Sequence, residues 1–177
     1  DVRQVSLYGR WSVCAVNRYS RMGEFSFKRF SVVNQRSAMK VNTDGVLLGA
    51  AMTISQDARN LLDVGTGTGT IALMAAQRMG DLVSQDGIRV NAIDIDKPSA
   101  TEAAENFRNS PWASCLNVFN TSLDDYSASL DPQVRFDHIF SNPPYFDDSL
   151  QAPDQRRNDS RHTSTGLSYR ELLEFAK

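Results

Sequence analysis

From Phe25 onward the apolar positions alternate with polar ones: Phe25 and Phe27 first, then Phe30 and Val32. A period of two predicts strand. The phase shifts at Lys28–Arg29, so a bulge or turn is expected there. Thr43-Asp44-Gly45 then precedes the apolar run Val46-Leu47-Leu48. That order predicts a short helix over residues 45–53, with Thr43 or Asp44 as its N-cap.

A regular strand–helix alternation follows. Asn60–Val64 reads as a short apolar strand. Thr70–Met79 reads as a helix, with Ile71, Met74, Ala75 and Arg78 at helical spacing and Gly80 as its stop. Ile88–Ile95 is a second strand of this series. Lys97–Phe107 is a second helix with Pro98 in its first turn. Leu116–Thr121 and Phe136–Phe140 complete four strands, and Leu167–Ala176 begins another helix. The alternation predicts an α/β fold with a parallel, doubly wound sheet. Right-handed crossovers then put the ligand crevice at the carboxyl ends of the strands. The polar stretch from Phe146 to Gly166 reads as a long exposed loop, and loops of that length tend to be functional lids or disordered.

Composition narrows the class. The chain has 177 residues, 41% hydrophobic and 23% charged, as expected of one globular domain. The longest apolar run, Val46 to Met52, contains Gly49 and is far short of the ~20 residues that span a bilayer; no membrane partner is expected. Cys14 and Cys115 are the only cysteines. Two lone thiols suit a reducing cytoplasm. Neither these nor the isolated His138 and His162 suggest a metal site.

The net charge is −2, but it is unevenly spread. Residues 1–40 hold Arg3, Arg10, Arg18, Arg21, Lys28, Arg29, Arg36 and Lys40 against Asp1 and Glu24, a balance of +6, leaving −8 for the rest. A basic edge on an acidic body can guide a polyanion to a site, although such runs are often only solvated surface. Met22 opens the patterned stretch, so residues 1–24 read as a poorly ordered leader or extension ahead of a domain over 25–177.

Two motifs carry chemistry. Leu61-Leu62-Asp63-Val64 runs into Gly65-Thr66-Gly67-Thr68-Gly69, and a helix follows. Gly65 suits the tight turn, Gly67 a close ligand approach, and Gly69 close helix–strand contact. The spacing is G-x-G-x-G, not the G-x-G-x-x-G of dinucleotide enzymes. It resembles the first motif of class I methyltransferases, which would set Asp63 near the ammonium of S-adenosylmethionine. The next strand ends in Asp94, 25 residues after Gly69. That distance suits the acid that accepts hydrogen bonds from ribose hydroxyls. Asp96 competes for the role, but N-cap of the next helix is the preferred reading of it. Ser122 and Leu123 follow the third strand, at the corner that touches adenine in related folds.

The second motif is Ser141-Asn142-Pro143-Pro144-Tyr145, at the end of the fourth strand. Two prolines cannot continue the strand. The Asn142 amide oxygen and the Pro143 carbonyl can each accept a hydrogen bond from one NH₂ group. Holding both hydrogens aims the nitrogen lone pair at a methyl donor, which is catalysis by positioning and electrostatics. Tyr145 would stack on a base, a contact worth ~1–3 kcal/mol.

With these motifs in this order, the chain resembles the bacterial valine-tRNA adenine-N6 methyltransferases. The resemblance extends through Phe27-Lys28-Arg29-Phe30, Ala38-Met39-Lys40-Val41, Thr43-Asp44-Gly45-Val46-Leu47-Leu48-Gly49-Ala50, Ser110-Pro111-Trp112 and Arg161-His162-Thr163. It implies a Rossmann-like class I sheet with S-adenosylmethionine as cofactor, held by Thr43, Asp44, Asp63, Gly65, Gly67, Gly69, Asp94, Ser122, Leu123 and Asn142. It implies Asn142, Pro143 and Tyr145 at the reacting amine, and tRNA as the substrate. Folded tRNA would be held by basic residues near the site: Lys28, Arg29, Arg36, Lys40, Arg156, Arg157 and Arg161. The family's sheet runs 3-2-1-4-5-7-6, so the chain is expected to be truncated after the fourth core strand.

Three other functions stay in view. The glutamine-N5 methyltransferases of release factors share Asn-Pro-Pro-Tyr but carry an N-terminal helical domain, for which the residues ahead of Leu61 read as too few. A guanine-N2 enzyme is a further possibility, with Tyr145 rather than Phe favouring adenine. The third is a non-catalytic nucleoside-binding module, against which intact Asn142 and Tyr145 argue.

Overall fold

Leu61 and Leu62 are neighbours on one strand and lie in different hydrophobic cores. Alternate side chains of a strand point to opposite faces, and a parallel sheet is covered on both. In the computed structural model, which describes residues 23–82, 87–143, 167 and 169–177, that strand is central. Strands β3 (Asn60–Val64), β4 (Arg89–Asp94), β5 (Leu116–Asn120) and β6 (His138–Ser141) form one parallel sheet in the order β5-β4-β3-β6. This is the doubly wound arrangement expected from the alternation of elements, with the order reversing at β3.

Helices α2 (Thr70–Leu82) and α3 (Lys97–Arg108) are the crossovers from β3 to β4 and from β4 to β5. Leu61, Val90 and Ala92 join Ile71, Leu73, Ala75, Ala103 and Phe107 in the larger core. Leu62, Val64 and Ile93 point the other way, toward Leu123 and Tyr126 of α4 (Leu123–Ser129), with Leu172 and Phe175 of α5 (Tyr169–Phe175) against them.

The N-terminal part is a hairpin of β1 (Glu24–Ser26) and β2 (Ser31–Val33), then α1 (Thr43–Ala51). The Phe27 amide donates to Phe30 O at 2.8 Å, closing the turn expected at Lys28–Arg29. Phe30 packs edge-on against Trp112, and the Arg29 guanidinium lies 5.9 Å from the Trp112 ring centre, a cation–π contact.

Four local expectations are corrected. The N-cap of α1 is Asn42, whose side-chain oxygen accepts from the Gly45 amide at 2.8 Å, so the helix starts before Gly45 and neither Thr43 nor Asp44 caps it. Gly80 does not stop α2; it stays helical and the helix runs to Leu82. One glycine in a last turn costs only ~1 kcal/mol, and the left-handed turn comes later, at Gly87 with φ +87°. Strand β6 starts at His138 rather than Phe136, because Asp137 turns its carboxylate onto the Arg59 and Asn60 amides at 2.7 and 2.9 Å. Helix α4 was not expected at all.

Candidate active site

The carboxyl ends of all four parallel strands open into one cavity of about 320 Å³. Val64 to Thr68 come from the end of β3 and the loop after it, Ile93 to Asp96 from the end of β4 and the turn after it, Thr121 to Asp124 follow β5, and Asn142 and Pro143 follow β6. The segment Ala38–Asn42 with Gly45 closes one side, and Leu167 and Glu171 another. A crevice at the reversal of strand order is where doubly wound sheets bind ligands.

Three left-handed glycines shape the loop after β3: Gly65 at φ +73°, Gly67 at +58° and Gly69 at +82°. A Cβ on Gly69 would sit 2.5 Å from the Phe107 ring of α3, so Gly69 serves close packing, as expected. A Cβ on Gly65 would meet nothing within 4 Å. The close neighbours of Gly67 are Ser37 and Met39, so the wall segment itself comes nearest there. The Gly65 and Thr66 amides both donate to Ile93 O, at 2.9 and 3.0 Å, which ties the loop to β4.

Two carboxylates lie under this loop. Asp94 Oδ2 accepts from the Gly67 amide at 2.8 Å, and its Oδ1 from the Asp96 amide at 2.8 Å. Asp63 Oδ2 accepts from Thr66 Oγ1 at 2.7 Å and from the Ala72 amide at 3.2 Å. Asp63 Oδ1 is buried with no partner among the described residues. Burial pushes both carboxyls up to about 6, and the charge of Asp94 adds to the effect at Asp63. An orphaned buried oxygen and a second, desolvated carboxylate make a surrounding that favours a cation. Asp94 on the wall has lone pairs left for hydroxyl donors. These residues fit the ribose and the positive charges of S-adenosylmethionine.

At the end of β6, Ser141 Oγ donates to Val64 O at 2.9 Å and locks β6 to β3 beside the loop. Asn142 and Pro143 follow at once, both half-buried on the cavity wall. Helix α1 comes so close that a Cβ on Gly45 would lie 3.5 Å from Asn142 Nδ2.

The fold brings Gly65, Gly67, Asp94, Ser122, Leu123, Asn142 and Pro143 together on the cavity. Ser122 caps α4, accepting from the Asp125 amide at 3.1 Å, and Asp96 caps α3 as expected. Asp63 lies beneath the lining rather than in it, and Gly69 behind it. Thr43 and Asp44 are exposed in the first turn of α1; their neighbours Asn42 and Gly45 line the cavity instead. Among the described basic residues of the N-terminal part, only Lys40 reaches the lining, with Nζ donating to Gln35 O at 2.6 Å. Arg36 is paired with Glu105, and Lys28 and Arg29 are exposed on the hairpin. Tyr145, Arg156, Arg157 and Arg161 lie outside the described residues.

Sequence reasoning missed Glu171 and Leu167, which no local pattern links to the site. It also missed the wall from Ala38 to Asn42 as cofactor lining. The Ala-Met-Lys-Val block pointed to that wall, but Lys40 was read only as an RNA contact.

Residues 30–156 match the model of the methyltransferase small domain. The tRNA1(Val) (adenine(37)-N6)-methyltransferase of Parabacteroides distasonis is 48% identical over 149 residues, 84% of this chain and 58% of that protein. The protein of the same name in Salmonella arizonae is 40% identical over 156 residues, 88% of this chain and 60% of its own length. The chain thus spans less than two thirds of the curated relatives it matches. Among solved structures, a Klebsiella pneumoniae protein described as an O-methyltransferase aligns with a TM-score of 0.50 at 18% identity, over 78% of this chain and 51% of that one, a likeness of fold. With a family model matched over most of its length, this chain belongs to the methyltransferase small domain family.

Proposed function

We propose that the protein transfers a methyl group from S-adenosylmethionine to N6 of an adenine in tRNA, at the position 3′ of the anticodon of a valine tRNA. The observation that carries this reading is the meeting of Asn142-Pro143 with Asp94 and the glycine loop on one cavity. The names of the relatives point to the same base and position.

S-adenosylmethionine, when bound, supplies an electrophilic methyl group on a sulfonium. Asp94 would hold its ribose hydroxyls, and the buried Asp63 carboxylate beneath the glycine loop would favour its positive charge. The exocyclic amine of adenine is a poor nucleophile because its lone pair is delocalised into the ring. Asn142 and the Pro143 carbonyl hold its two hydrogens, localise that lone pair and align it with the methyl group. Positive charge then builds on the amine, and the two acceptor dipoles favour it. The methylated nitrogen is acidic enough to give its proton to water, so no dedicated base is needed. Tyr145 stacks on the target base.

An adenine stacked in an anticodon loop must be splayed out first, at a cost of a few kcal/mol. Lys28, Arg29 and Lys40, with Arg156, Arg157 and Arg161 on the segment after the catalytic motif, offer phosphate contacts to offset it. A cytoplasmic location would agree with a tRNA substrate. The test is incubation with labelled S-adenosylmethionine and bulk tRNA, with release factor as the competing substrate, followed by nucleoside digestion. Label in N6-methyladenosine supports the reading. Label in release-factor glutamine, or in neither, rejects it.

A further inference from the structure

Helix α3 carries a fully buried carboxylate that the chemistry above does not use. Glu102 is 0% exposed. Its Oε2 accepts from the Gln35 and Arg36 amides at 2.8 and 2.6 Å, and its Oε1 from the Ser37 amide at 3.1 Å. Three successive amides converge on one anion, the arrangement of a backbone nest. The Arg36 Nε lies 4.0 Å away. One turn along, Asn106 accepts from the Val33 amide at 2.8 Å and donates to Val33 O at 3.0 Å and to Thr68 O at 2.8 Å. One turn back, Ser99 Oγ lies 3.0 Å from Ser37 Oγ, which also donates to Met39 O at 2.9 Å.

These bonds join two walls of one cavity. Val33 and Gln35–Ser37 lead into the Ala38–Asn42 wall, and Thr68 belongs to the glycine loop. Each wall is irregular backbone with no sheet ladder to fix it. Gln35 O, held in place through its neighbours' bonds to Glu102, in turn receives the ammonium of Lys40. A buried carboxylate is a poor source of stability, since desolvation consumes much of what its hydrogen bonds return. Its presence here is better explained by the single backbone geometry it imposes.

We propose that Glu102 is a positioning residue for cofactor binding: by gripping the 35–37 amides it sets the Ala38–Asn42 wall at the correct distance from the glycine loop. This rests on the cavity being the cofactor site. Glu102→Gln keeps the shape but turns an NH₂ toward backbone donors. At a temperature where the variant is fully folded by melting, its Kd for S-adenosylhomocysteine should rise at least about tenfold. Glu102→Asp, which keeps both acceptors, should fall between it and the wild type. Amide hydrogen exchange in the ligand-free protein should speed up at 35–41 and stay unchanged in β3 and β4. A purely structural role would lower the melting temperature without these local effects. If Glu102→Gln does not fold, Ser37→Ala takes its place, with an expected several-fold loss of affinity and faster exchange at 38–41. Affinity within twofold of wild type in a folded variant overturns the proposal, as does unchanged exchange at 35–41. A wild-type protein that binds no S-adenosylhomocysteine rejects the cofactor reading instead, and the exchange data then decide the tether by themselves.

Discussion

The Asp94 carboxylate accepts the Gly67 amide at 2.8 Å, joining the end of β4 to the glycine loop after β3 across the floor of the cavity. One side chain therefore shapes the loop and lines the cavity proposed for the cofactor. Asp94→Ala removes both functions. Its affinity for S-adenosylmethionine should weaken by roughly 1.5–3 kcal/mol, the scale of hydrogen bonds to a charged group. Isothermal calorimetry checks this, and unchanged affinity would contradict the assignment.

The raised carboxyls give a pH signature with two opposite signs. Asp63 and Asp94 titrate near 6 in the fold, against an ordinary 3.8. The folded state holds their protons more tightly than the unfolded chain does, so their contribution to stability improves as pH falls through 6 and worsens as it rises. A cationic ligand needs the charged carboxylates. Affinity for S-adenosylmethionine should drop several-fold between pH 7.5 and 5.5. Over the same interval the melting-temperature difference between wild type and Asp94→Asn should move in favour of wild type. A flat affinity profile would count against Asp94 as a cofactor contact and against Asp63 as a buried charge that favours the cation.

Two glycines of one loop should fail in different ways. Gly69→Ala drives a methyl group into the Phe107 ring at a left-handed position and should cost ~1–3 kcal/mol of stability. Gly65→Ala meets open space. It bears only the left-handed strain of ~1–2 kcal/mol, at a position that lines the cavity. Thermal melts and S-adenosylhomocysteine titrations should show the larger stability loss in Gly69→Ala and the larger affinity loss in Gly65→Ala. The reverse order would show that the loop is misassigned.

The basic residues divide by what already holds them. Arg36 is engaged by Glu105, so Arg36→Ala should change the KM for tRNA little. Charge reversal of Arg156 and Arg157 to Glu should raise that KM and flatten its dependence on salt, with cofactor affinity unchanged, because phosphate contacts release counterions. Wild-type KM at every salt concentration would remove that segment from the RNA site.

The parallel, doubly wound sheet was legible from the strand–helix alternation, its strand order came from the family resemblance, and the motifs at the strand ends pointed to where the crevice lies. Short-range signals were less decisive. Ser122-Leu123-Asp124-Asp125 is a capping pattern that announces α4, yet with seven residues the helix shows almost no periodicity. Asn42 sits next to Thr43 and Asp44, and all three are good caps; only the backbone angles choose among them. Glu102 was invisible for a different reason. In Ala100-Thr101-Glu102-Ala103-Ala104-Glu105 it reads as a surface charge on a helix. Its burial comes from residues 35–37, some 65 positions earlier, and no local pattern records that contact.

In the proposed mechanism Asn142, which borders the cofactor cavity, uses its acceptor mainly on the substrate amine. The most direct measurement is methyl transfer from labelled S-adenosylmethionine to tRNA by wild type and Asn142→Ala, at cofactor concentrations that saturate both. The account predicts labelled N6-methyladenosine with the wild type and loss of turnover in the variant, while the variant's cofactor Kd stays within a few-fold. Wild-type turnover in Asn142→Ala would contradict it.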